Sequence, residues 1–139
     1  MKNTSPFAQH LAEAPFVWLF GGVCYYLLEM LWRGYSHWSM ALCGAFCFWL
    51  LWRINTDHPQ VSLPLRALIG AAAITAVELF FGCILNLWLR LDVWDYSALR
   101  FNLYGQICLR YSFLWFLLCF PISTLTRLLQ RAVFPADEP

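Results

Sequence analysis

PFVWLFGGVCYYLLEMLW, from Pro15 to Trp32, is the stretch whose reading decides the fold. It carries one charge, Glu29, and at ~1.5 Å of rise per residue it is long enough to cross a hydrocarbon core of roughly 30 Å. A cleaved signal peptide is the competing assignment. The apolar core is too long and too aromatic for that, contains an acid, and lacks a small-x-small cleavage site. The stretch is therefore expected to be a transmembrane helix, with Pro15 in its first turn. Residues 1–14 form a polar lead-in, expected to lack regular structure until about Leu11.

Working outward, the same character recurs. RGYSH (Arg33 to His37) is a tight connection whose Gly34 suits a left-handed helix cap. Trp38 to Ile54 is a second span, flanked by tryptophans and Arg53 at the interfaces. NTDHPQVSLP (Asn55 to Pro64) is a polar loop, and Leu65 to Leu89 is a third span with Glu78 near its middle. Leu103 to Ile122 is a fourth, carrying Gln106 and Arg110, with Pro121 expected to kink its end. STLTRLLQRAVF continues it as an amphipathic surface segment.

The expected fold is thus an all-α integral membrane bundle of four transmembrane helices, at about 15–33, 38–54, 65–90 and 103–122. A short polar interfacial segment at 93–102 caps it. Residues 15–131 make a single membrane domain, and 132–139 a disordered tail.

Composition agrees. Hydrophobic residues are 61% of the 139, aromatics 19% and charged residues 12%, against roughly a quarter charged in soluble domains. The formal net charge is +1, and no cluster of Lys and Arg marks a nucleic-acid face, so nucleic acid is set aside as a partner. The six cysteines all lie in apolar runs, which disfavours a disulfide framework. Cys43 and Cys47 share a helix face, but no CxxC or nearby His completes a metal set. No metal and no cofactor is expected.

Four spans place both termini on one side. Lys2, Arg53, Arg66, Arg127 and Arg131 would lie there, against Arg33, Arg90 and Arg100 opposite, which favours cytoplasmic termini. Insertion as an antiparallel homodimer stays open at that narrow margin.

The chemistry concentrates in VWDYSALRFNLYGQICLRYS, Val93 to Ser112, where acids, amides, hydroxyls and an arginine crowd between apolar runs. Ionisable groups inside hydrocarbon cost roughly 2.5–3.5 kcal/mol each and normally face a bundle interior. There are three: Glu29, Glu78 and Arg110. From the helix rise they should lie ~6, ~16 and ~9 Å deep, all beneath the 93–102 segment.

Helical spacing then stacks Glu78, Gly82 and Asn86 on one face, Gln106 and Arg110 on another, and Tyr25, Glu29 and Arg33 on a third. The candidate site accordingly comprises Tyr25, Glu29, Glu78, Asn86, Trp94, Asp95, Asn102, Gln106 and Arg110. Two accounts compete. In one, these groups only join helices, with Glu78 and Arg110 as a buried ion pair. In the other, the carboxylates bind a small cationic or hydrogen-bonding solute or exchange protons with it, while Arg110 fixes one carboxylate.

Weaker candidates surround these. His37 suits the interface, Asp95 suits a helix cap as well as a substrate contact, and Trp94 with Tyr25 and Tyr26 could form an aromatic cage. No GxSxG, HExxH or phosphate-cradling glycine loop is present.

The run VWDYS (Val93 to Ser97), followed by Asn102, Gly105, Gln106, Ile107, Cys108, Leu109, Tyr111, Ser112 and Trp115, resembles the bacterial membrane family described as putative ABC-transporter type IV. Glu29 with Arg33-Gly34 and His37-Trp38-Ser39-Met40 agrees, as do Ile74-Thr75 with Glu78 and Gly82. The resemblance implies a small multi-span protein of the bacterial inner membrane and transport of a solute. The sequence lacks G-x-x-x-x-G-K-[ST], so any ATPase would be a separate partner subunit. An accessory or assembly subunit, or a membrane-embedded enzyme acting on a lipid or quinone through Asp95 and His37, are the alternatives.

Overall fold

A computed structural model describes residues 5–135. Four helices alternate in direction: α1 (Pro6–Arg33), α2 (Trp38–Asp57), α3 (Leu63–Gly82) and α4 (Leu109–Val133). α3 continues into a π-helical stretch, Cys83–Trp88, and a two-stranded antiparallel hairpin, β1 (Asn102–Leu103) with β2 (Ile107–Cys108), precedes α4. The chain is all-helical apart from this hairpin. Three helical segments, Pro6–Arg33, Leu63–Trp88 and Leu109–Val133, are long and apolar enough to cross a membrane. α2 falls short of that description, its apolar character diluted by tryptophans, Arg53 and the closing Asn55-Thr56-Asp57.

Helix α1 begins at Pro6, not Pro15. Ser5 caps it, its hydroxyl accepting from the Ala8 amide at 3.3 Å, and Pro15 lies inside it. An internal proline costs on the order of 3 kcal/mol, so something must hold the first turns in place. Glu13 does: it is 2% exposed, accepts the Trp52 indole N–H at 2.9 Å and the Gln9 amide at 3.0 Å. His10 adds a 3.2 Å contact to Asp57. The expected irregular lead-in is corrected accordingly; residues 1–4 lie outside the described residues.

At its other end α1 stops as expected. Gly34 takes φ 78° and its N–H closes on the Met30 carbonyl.

Helix α2 is central, packed by α1, α3 and α4. Its contact with α1 uses missing side chains. A β-carbon on Gly21 would clash with Phe48, and one on Gly44 with Tyr25, so each helix sinks an aromatic residue into a glycine of the other. Leu51, Ala67, Ile74 and Cys119 form the seam between α2, α3 and α4, where Gly70 admits Leu51 and Cys119. Thr75 and Ser112 hydrogen-bond across α3 and α4 at 2.8 Å. All six cysteines are free.

The third and fourth expected spans change at their loop-side ends. Regular helix in α3 ends at Gly82 and loosens into the π-helical turn, in which the Leu89 amide bonds the Ile84 carbonyl at 2.9 Å. Residues 103–108 are hairpin and turn, so α4 starts at Leu109 and runs through Pro121 to Val133. The 93–102 segment is extended backbone and turns, not a short helix. Of the expected disordered tail, Ala132 and Val133 are helical, and Phe134 packs against Phe16 and Trp52. Residues 136–139 lie outside the described residues.

Candidate functional site: a buried acid beneath the loop cap

The loop between α3 and α4 is closed by amides. Gly82 leaves no room for a β-carbon because Gln106 and Trp94 press on it. Asn86 donates to Gln106 Oε1 at 2.8 Å and accepts the Val93 amide at 2.7 Å. Gln106 Nε2 donates to the Tyr104 carbonyl, and the Trp94 indole donates to the Gln106 carbonyl, both at 3.0 Å. Four non-glycine residues, Arg90, Asp92, Phe101 and Tyr104, adopt left-handed backbone. Each costs on the order of 1 kcal/mol, so the loop keeps its shape only because these bonds over-determine it.

Asn86, Trp94 and Gln106, expected to face a ligand, thus spend their polar atoms holding the cap. Trp94 packs with Met40, Leu85 and Val93, with Tyr25 and Tyr96 against them. Asn102 likewise donates to the Leu99 carbonyl at 2.8 Å and accepts from Gly105 at 3.0 Å. Asp95 is exposed and accepts both the Ser97 amide, at 2.9 Å, and the Ser97 hydroxyl. Those two donors hold its carboxyl below the usual aspartate range.

Beneath the cap lies Glu78, 7% exposed. The Tyr96 hydroxyl donates to its Oε1 at 2.7 Å and the Trp115 indole to its Oε2 at 3.2 Å. Among the described residues no cation pairs with it. Tyr96 stacks on Tyr111 with ring centroids 4.7 Å apart. Burial first, then the adjacent Glu78 carboxylate, pushes the Tyr96 phenol above its usual range, so it remains a donor.

Glu29 stands on the α1 side of the same cluster. It pairs with Arg33 at 3.1 Å and accepts the Tyr25 hydroxyl at 3.2 Å, yet its buried Oε2 has no well-aligned hydrogen-bond donor. The Arg33 contact is an ion pair without a hydrogen bond. Arg33 also donates to the Val93 carbonyl at 2.7 Å, tying α1 to the cap. Glu29 and Glu78 lie within Coulombic range of one another.

Arg110 does not join them. It is exposed and lines a groove on the opposite face of α4. The expected Glu78–Arg110 pair is therefore corrected: starting α4 at Leu109 instead of Leu103 changes which of its residues turn inward. Ser112 and Trp115, three residues apart, take the inner face.

Tyr96, Trp115 and Arg33 are the residues that sequence reasoning left out of the site. The signal for Tyr96 was the period-two pattern of an extended segment, Trp94 and Tyr96 inward and Asp95 outward. A second polar cluster, Glu13 with His10, Trp52 and Asp57 at the termini end, also went unassigned.

The described residues form a helical chain with three helices that could cross a membrane and a buried acid under a loop cap, and the family it matches is described as transporter-related. The chain is a member of the family described as Putative ABC-transporter type IV, which matches residues 2–135. No curated protein and no solved structure matches it.

Proposed function

We propose that the protein binds or moves a small solute at the cluster of acids and phenols made by Glu78, Glu29, Tyr25 and Tyr96, with Glu78 exchanging a proton as it does so. One observation carries this reading: a carboxyl group 7% exposed whose partners are two neutral donors, Tyr96 and Trp115. A carboxylate kept for joining helices would be expected to face a cation. Burial disfavours the charged form of an acid generally, and a group so placed can alternate between a proton and a cationic or hydrogen-bonding solute.

In this reading α2 is the fourth span, enclosed by the other three, and the bundle sits in a bacterial inner membrane with both termini cytoplasmic. Arg110 joins Arg33, Arg90 and Arg100 at the loop end, which narrows the positive-inside margin to one residue and keeps the antiparallel dimer in play. The family name and the lack of a phosphate-binding loop support a second reading, an accessory subunit working beside a separate ATPase. The enzyme alternative loses support, since Asp95 is engaged by Ser97 and His37 caps α2 through Ser39.

The test is proton movement in proteoliposomes enclosing a pH-sensitive dye, challenged with a series of small organic cations. Glu78→Gln should abolish the solute-dependent signal while leaving the melting temperature within a few degrees. An unchanged signal would remove Glu78 from the mechanism.

A further inference from the structure

We infer that the outer face of the hairpin is an anionic phospholipid site, its headgroup phosphate held between Arg100 and Arg110. An open groove of about 560 Å³ is lined by Leu99, Arg100, Phe101, Leu109, Arg110 and Phe113. No acid lines it, although the same loop contains Asp92 and Asp95.

The hairpin brings the segments that carry the two cations together. Asn102 pairs with Cys108 and Leu103 with Ile107. The ladder extends one step further, the Leu109 amide donating to the Phe101 carbonyl at 3.2 Å. Arg100 and Arg110 flank that bond, one in the turn before the hairpin and one in the first turn of α4, and both line the groove. Two like charges in one groove repel, and the ion pairs among the described residues involve His10, Arg33 and Arg53 but neither of these. Arg110 also sits in the first turn of α4, whose positive end favours an anion. An interposed phosphate offsets the repulsion and accepts from both guanidinium forks.

The rest of the groove chooses the source of that phosphate. Phe101, Leu109 and Phe113 are 78%, 61% and 60% exposed, so the cations sit at one end of an apolar surface. A free phosphate ion leaves that surface unused, whereas a phospholipid covers it with acyl chain. The arginines lie at the loop end of the bundle, where headgroups are found if α4 crosses the membrane.

Native mass spectrometry of the full chain, released from mixed phosphatidylglycerol and phosphatidylcholine, tests this. At about one kcal/mol for each of the two arginines at a lipid surface, the wild type should retain phosphatidylglycerol about thirtyfold over phosphatidylcholine. Arg100→Gln with Arg110→Gln should remove that preference, and Arg127→Gln with Arg131→Gln should leave it. Equal retention of both lipids by the wild type would overturn the proposal without recourse to any variant. So would a preference that survives in the Arg100/Arg110 variant, or displacement of the lipid by millimolar inorganic phosphate, which would mark a simple anion site.

Discussion

The Tyr96 hydroxyl and the Glu78 carboxylate, 2.7 Å apart, join the loop to the bundle interior. Tyr96→Phe removes the donor and leaves a buried acceptor short of a partner, at a cost of about 1–3 kcal/mol. Thermal melting in detergent should register that loss, and wild-type stability would show the bond to be dispensable. Asp95 makes a prediction of the opposite kind. Its carboxyl is held below the ordinary value of about 3.9 by Ser97, so the turn it stabilises is fully present above that value and is lost as pH falls through the lower folded-state value. The Ser97 amide resonance should therefore titrate with a midpoint below the normal aspartate range, and Asp95→Asn should abolish the titration. A midpoint at the ordinary value would mean that the bond contributes nothing.

Among the elements, the loop from Leu89 to Cys108 is closed by two amides, Asn86 and Gln106, beside the apolar cluster around Trp94. Gln106→Ala breaks the bonds to Asn86 and Tyr104 together, and should raise amide exchange across residues 90–106 at least tenfold while sparing the middle of α2. Uniform protection would show that apolar packing suffices. This loop is also where sequence reasoning reached least far. Two-residue strands and left-handed backbone at Arg90, Asp92, Phe101 and Tyr104 leave no periodic signal, so residues 103–108 read as the start of a helix. That one shift put Arg110 inside and hid Trp115. Three of the four expected spans were legible because length and apolar composition are properties of the segment alone. Helix α1 shows the limit of local rules: Pro15 marks a plausible start, but burial of Glu13 against Trp52 carries the helix nine residues further back, to Pro6.

For the whole molecule, the two acids share one cluster, while the arginine expected beside them stands outside it. Glu29 and Glu78 converge as their helical faces suggested, because α1 and α3 were phased from segments whose loop-side limits were close to right. Arg33, adjacent to the Gly34 cap, supplies the cation expected of Arg110, but on Glu29 and not on Glu78. The result is an asymmetric pair, one acid neutralised at the rim and one held only by neutral donors beneath the cap. Proton exchange at the second is the central claim. Infrared difference spectroscopy between acidic and alkaline membranes tests it most directly. The account predicts a carboxylic-acid carbonyl band that titrates in the wild type and in Glu13→Gln but is missing from Glu78→Gln; the same band persisting in Glu78→Gln would contradict it.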